Sequence, residues 1–438
     1  MAGDGGRDLP EDFRQTANGG VVAWDEAGGD GAAAVGIFVP AGSRDEAVEE
    51  WGAAHLLEHL AFRGAGSWDA RALADRMDRL GADINAFTTR DLTCYHAHVL
   101  DRDLAEAWDL LSAMVGEPWL HAAELDRERG VVSDELREAH DDAEDRAEEA
   151  YFQALWGSHP LAHEVLGSPD QLAGVSIETL RQFHARHYRA PGLAVVLVGH
   201  GAGALAHRVQ SWIEAMPGGR PGHREPPRPV GGVALATVPG QEAYVNLGVP
   251  APPLEHEAET AYRLLALIFG GQNSSRLWQR IREELGLAYQ VGAAYTPARD
   301  YGEFGVSAGV AAGELRRLLQ EVGQEWRRLV RDPVSREELE RARDQASRAL
   351  VFGRETAEGR MHYLAHWATR QLPPPAPAVV LNAITEVSLA AVHAAAQQVV
   401  TSAEDVWACG VAGPKASLRG SFRRWFAGAA APRAAADA

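Results

Sequence analysis

Residues 76–84 read RMDRLGADI, and residues 281–289 read IREELGLAY. Each stretch closes an amphipathic helical pattern on a leucine, turns at a glycine, and runs into an extended segment. A glycine just past the last apolar position stops a helix because it enters the left-handed region without a Cβ penalty. Leu80-Gly81 and Leu285-Gly286 are therefore one anchor used twice, and the elements around them can be compared in order.

Outward from the first anchor, apolar alternation predicts strands at 20–24 and 33–40. Helical periodicity follows over 46–63 and 70–80, then a strand pair at 83–88 and 93–100. Helices are expected over 104–115 and through the long charged stretch 121–150. After Pro191, LAVVLVG reads as a buried strand. Around the second anchor the order recurs. Strands at 233–238 and 243–249 precede helices at 255–269 and 275–285. Strands at 288–294 and 302–309 then lead to helices at 314–330 and 336–351. The expected class is α+β, with two homologous domains, each an antiparallel-rich sheet with helices packed on one face. Between them, 217–229 (PGGRPGHREPPRP) carries five prolines and three glycines and reads as a linker. The expected division is a domain at 12–216, the linker at 217–229, a second domain at 230–426, and an Ala-rich tail at 427–438.

Chemistry enters at 53–64, AAHLLEHLAFRG. His55 and His59 are four apart, so on a helix they share one face and can ligate one Zn²⁺. Glu58 precedes the second histidine, placed to act on a water beside the metal without being a ligand. This order, H-x-x-E-H, is the inverted zinc-peptidase motif. A catalytic zinc needs a third protein ligand, and 124–138 (ELDRERGVVSDELRE) offers carboxylates on a helix. Glu128 and Glu135 are seven apart and share a face, so spacing does not choose between them.

Composition narrows the field further. The 438 residues carry 42 basic and 61 acidic side chains, a formal net charge of −19, which argues against a nucleic-acid partner. Cys94 and Cys409, the only cysteines, cannot make a disulfide framework or a four-thiolate site. The first eleven residues lack the basic-then-apolar order of a secretory signal, and no run of about 18 apolar residues occurs. A cytoplasmic protein with no membrane span is expected.

HLLEH at 55–59, GADINAFTTRDLTCYHAHVL at 81–100 and DRERGVVSDELRE at 126–138 resemble successive motifs of the pitrilysin-type (M16) zinc peptidases. The nearest resemblance is to the short bacterial and mitochondrial processing-peptidase branch. It continues at 269–309, FGGQNSSRLWQRIREELGLAYQVGAAYTPARDYGEFGVSAG, and covers roughly 19–413. The resemblance implies His55, His59 and Glu135 as zinc ligands and Glu58 as general base. Glu128 becomes a supporting carboxylate that does not bind metal. Asn85, Ala86 and Phe87 would form a sheet edge that docks extended substrate by strand addition. Arg282 and Tyr289 would reach the substrate near the scissile bond. Two such halves would line a chamber that admits peptides and unfolded segments, completed by a second chain as a homodimer or a heterodimer with a related one.

One zinc per chain is expected, because 257–271 (EAETAYRLLALIFGG), the second half's counterpart of the motif helix, contains no histidine. The function implied is a zinc-dependent endopeptidase or oligopeptidase. Its rivals are a non-catalytic scaffold or assembly subunit and a peptide-binding module without cleavage. His96 and His98 alternate along a strand and read as polar wall residues, with Cys94 on the same face as a small buried hydrophobe.

Overall fold

Both anchor glycines adopt the left-handed conformation, with φ 56° at Gly81 and 59° at Gly286. The structure, a computed structural model, describes residues 12–26, 31–81, 83–219, 222, 224–415, 417, 418 and 422. The expected tail at 427–438 and the first eleven residues lie outside the described residues.

Strands β1 (Phe13–Gln15), β2 (Val21–Asp25) and β3 (Ala32–Val39) open the chain, followed by helix α1 (Ala53–Ala61). Short strands β4 (Gly64–Ala65) and β5 (Trp68–Asp69) precede α2 (Ala70–Leu80) and the hairpin β6 (Asp83–Thr88) and β7 (Thr93–Leu100). Next come α3 (Leu104–Gly116), α4 (Ala122–Asp141), α5 (Ala143–Trp156), α6 (Pro169–Gly174) and α7 (Ile177–His187). Strand β8 (Ala194–Val198) and α8 (Ala202–Ala215) complete the first half. The second half starts with β9 (Gly232–Thr237), β10 (Glu242–Pro250), α9 (Glu259–Phe269) and a π-helical segment, Trp278–Glu284. Strands β11 (Ala288–Pro297) and β12 (Gly302–Ala311) then lead to α10 (Leu315–Arg331) and α11 (Arg336–Phe352). Helices α12 (Ala357–Ala368), α13 (Pro377–Glu386) and α14 (Leu389–Asp405) precede the last strand, β13 (Ala408–Gly413). No single described helix is long and apolar enough to cross a membrane; α13 and α14 meet that test only together, across a 77° bend.

The first sheet has the order β1-β2-β8-β3-β7-β6, and the second, read from its β9 edge, β9-β13-β10-β12-β11. Apart from β1 the two match strand for strand. Each has a single parallel pair, β2 with β8 and β9 with β13, and antiparallel pairing elsewhere. Duplication is thus visible in the pairing as well as in the anchors.

Three expected helices differ in detail. The stretch 46–63 begins with one 3₁₀ turn, Val48–Glu50, and becomes α-helical only at Ala53, because Gly52 is left-handed at φ 91°. The stretch 121–150 breaks at Asp142, whose extended backbone ends α4. Its carboxylate accepts from the amides of Glu144 and Asp145, capping α5. The segment before Gly286 winds as a π-helix.

The compact units do not divide at the Asp142 break, since one boundary falls inside α4 between Asp134 and Glu135. Two compact units form, divided near the linker at Arg224/Glu225, but each also takes a segment from the other half. The first unit contains Met1–Asp134, Glu164–Arg224 and Leu350–Ala376; the second contains Glu135–His163, Glu225–Ala349 and Pro377–Ala438. A single cut at 217–229 therefore does not separate them. Helix α12 lies on the first sheet, where Met361, Leu364, Ala365 and Ala368 cover Ala34, Phe38, Cys94 and Val196. That adds a layer on the face opposite Ala33, Val35 and Ile37, and β3 is buried on both sides. Helix α5 lies on the second sheet, with Tyr151, Ala154 and Leu155 packed around Ala408 and Ala147 against Ala412. At Gly410 a Cβ would sit 2.1 Å from the Tyr151 amide nitrogen and 2.2 Å from the Ala147 carbonyl, so only glycine admits this helix.

Candidate metal centre

Helix α1 is nine residues long and packs against α7 and β6. Leu56, Leu57 and Leu60 are fully buried and fix its rotation, which leaves His55 and His59 half-buried on one stripe. Their rings stand edge to face, 4.6 Å between centroids. Burial, with His59 adding, lowers the His55 pKa to about 3, so His55 is a neutral imidazole, the form that ligates metal.

Helix α4 supplies the third donor. Leu125, Val132 and Leu136 dock it, and Glu135 is half-buried. Ligand atoms of His55, His59 and Glu135 all lie within 4.8 Å of one another, the one such group found among the described residues. The boundary between compact units passes between Asp134 and Glu135, but α4 is unbroken from Ala122 to Asp141, so helix continuity holds Glu135 in place. Two imidazoles and a carboxylate are a donor set that suits a catalytic zinc with one open position.

The structure separates the two glutamates that spacing left equivalent. Glu128 is fully buried, and its Oε2 lies 3.1 Å from Nδ1 of His59, leaving Nε2 of that ring as the donor. Its other oxygen pairs with Arg63 Nε at 2.5 Å. Arg63 was not singled out from the sequence. The signal was there, since it stands four residues beyond His59 on the same face. Glu58 is buried, and the Thr88 hydroxyl donates to its Oε2 at 2.5 Å. Beneath it, burial, with Glu58 adding, pushes the Cys94 thiol well up, as fits a buried hydrophobe. His96 is half-buried, and burial lowers its pKa. Neither His96 nor His98 joins a metal-binding group.

Asn85, Ala86 and Phe87 lie in β6, the end strand of the first sheet, with Asn85 and Phe87 exposed and Ile84 buried on the opposite side. Thr88 ends the same strand, so the strand terminates at the Glu58 carboxylate. In the second unit Arg282 and Tyr289 are brought together: Arg282 Nη1 donates to the Tyr289 carbonyl at 2.6 Å. They border a cavity of about 490 Å³ over β10, β12 and β11.

Glu46 escaped sequence reasoning because it acts from outside the motif. Its carboxylate accepts from the amides of Gly52 at 2.9 Å and Ala54 at 2.7 Å, satisfying donors at the start of α1. Burial nevertheless raises its pKa to about 8, against the lowering effect of those two bonds. A carboxyl raised in the folded state contributes stability that is complete below its unfolded value near 4.5 and is lost as the pH climbs through about 8. Urea unfolding of the wild type and Glu46→Gln between pH 5 and 9 checks this. The wild type is expected to lose stability relative to the variant across that window, by up to roughly 4–5 kcal/mol. Parallel pH profiles for the two proteins would contradict it.

The model described as insulinase, peptidase family M16, matches residues 21–169, and the one described as the peptidase M16 inactive domain matches 174–346. An uncharacterized zinc protease of Mycobacterium leprae is 31% identical over 88% of this chain and 88% of its own. The uncharacterized zinc protease YmxG of Bacillus subtilis is 30% identical over 75% of this chain and 80% of its own. Among solved structures, a peptidase M16 inactive domain from Pseudomonas fluorescens aligns with a TM-score of 0.83 at 23% identity, covering 93% of this chain and 98% of that one. A protease from Helicobacter pylori gives 0.77 at 19%, covering 92% and 99%. At those identities the two structures speak for the fold.

Proposed function

The chain belongs to peptidase family M16, and from that premise we propose that it is a zinc-dependent peptidase acting on peptides or unfolded segments. The observation that carries the reading is the convergence of His55, His59 and Glu135 beside the buried Glu58 carboxylate. His55 and His59 would hold the metal through imidazole nitrogens and Glu135 through a carboxylate oxygen. Bound there, zinc supplies a Lewis acid and makes water acidic enough to lose a proton near neutral pH.

The chain's own residues do the rest. Glu58 takes the proton of the attacking water and later gives it to the leaving amine, held in line by the Thr88 hydroxyl. Glu128 orients His59 and keeps its ring tautomer fixed, and Arg63 balances the buried carboxylate charge. Extended substrate would add to the β6 edge at Asn85–Phe87, on the strand that ends at Thr88 beside Glu58. Arg282 and Tyr289 would contact the same peptide. A second copy of the chain would complete the enclosure.

Metal analysis combined with a fluorogenic peptide assay tests the reading. One zinc per chain is expected, with cleavage abolished by chelator and restored by added zinc. Zinc-free protein that stays inert when zinc is supplied overturns it.

A further inference from the structure

Arg282 is held by more than its own hydrogen bond. Its guanidinium carbon lies over two rings, 4.3 Å from the centroid of Trp278 and 4.3 Å from that of Tyr289. Helical spacing and one strand irregularity build this stack. Tyr289 sits where the pairing of β11 with β12 shifts register between Ala288 and Gln290, a bulge that turns its side chain out, 77% exposed. Trp278 and Arg282 stand four apart on the π-helical segment, a spacing that helical winding in general brings together, while its i→i+5 bonds bring residues five apart together. Accordingly Trp278 Nε1 donates to the Glu283 carboxylate at 3.2 Å, a link that α-winding does not favour.

We infer that Trp278 is a positioning residue for substrate binding, acting through Arg282; this rests on the peptidase reading above. A guanidinium carries five donors in one plane. The Tyr289 carbonyl takes one, and stacking occupies the face of the plane, so the remaining donors are aimed outward along it. The cavity beside it also presents the polar side chains of Asn246 and Ser307, and the exposed carboxylate of Glu144. That setting suits a peptide oxygen approaching a cation that cannot rotate away. Without the indole floor, Arg282 regains the rotamer freedom of a long side chain, and binding must restrict it each time.

Steady-state kinetics on the fluorogenic peptide tests this in wild type, Trp278→Ala, Trp278→Phe, Arg282→Ala and the Trp278→Ala/Arg282→Ala double variant. Trp278→Ala is expected to raise KM about tenfold and to change kcat less than about threefold. Trp278→Phe keeps a ring under the guanidinium and should restore KM to within about threefold of wild type. On the Arg282→Ala background, Trp278→Ala should cost less than about twofold, because the group it positions is gone. An unchanged KM in Trp278→Ala, or the same tenfold cost with and without Arg282, overturns the inference. Zinc content and thermal midpoint guard against misfolding, and if Trp278→Ala fails them, Trp278→Leu takes its place. Wild-type protein without zinc and without cleavage defeats the peptidase reading itself, a result distinct from an active enzyme whose cycle is additive.

Discussion

Glu58→Gln protein is expected to keep one zinc per chain and to lose peptide cleavage by roughly 10³-fold. Glutamine matches the shape of glutamate and can still accept from the Thr88 hydroxyl, so α1 and its two histidines stay where they are. It cannot accept a proton from water, nor deliver one to the leaving amine. Both proton transfers fail while the metal ligands remain intact. The checks are metal stoichiometry by elemental analysis and turnover of the fluorogenic peptide. A Glu58→Gln protein that turns over at wild-type rate would remove Glu58 from the mechanism; one that loses its zinc would make Glu58 part of the metal site.

The second large effect concerns the chain cut at its proline-rich linker. A fragment of residues 1–229 is expected to fail to form a cooperatively folded unit, although it contains His55, His59 and Glu135. It lacks α12, so Ala34, Phe38, Cys94 and Val196 lose their cover on one face of the first sheet. It also retains α5 without the second sheet, exposing Tyr151, Ala154 and Leu155. Burying Met361 and Leu364 alone is worth about 3–6 kcal/mol, comparable with the total stability of an ordinary domain. The fragment should bind a hydrophobic dye, lack near-ultraviolet circular dichroism and melt without a sharp transition. Co-expression with residues 230–438 should restore folding, since the break falls between elements. A monomeric 1–229 fragment that melts cooperatively and binds zinc would show that the exchanged helices are dispensable.

Local features were legible in the sequence. His55, Glu58 and His59 lie within one turn of helix, and Gly81 and Gly286 end their helices through backbone freedom that no other residue matches. The choice between Glu128 and Glu135 was not legible from spacing, because both share a face of α4. What separates them is how deeply each sinks when Val132 and Leu136 dock, and which residues wait there. The partners of Glu128 come from α1 and the residues just after it, distant in sequence. Asp142 looked like one more charge in a charged helix, yet its short carboxylate caps α5 and redirects the chain. Trp278 stands four residues before Arg282, a readable helical spacing; what was not legible is the strand bulge that brings the Tyr289 ring onto the same guanidinium.

The exchanged helices also set a timetable. Strands β2, β3, β7 and β8 are complete once residue 198 has been made, but the helix that seals their second face is Ala357–Ala368. On the ribosome the first sheet therefore waits, one apolar face uncovered, while most of the second half is synthesised. Those contacts join residues far apart in sequence, the kind that form late and slowly. His55, His59 and Glu135 sit on elements made well before the helix that covers the sheet. A chain of two self-contained halves would have no such interval.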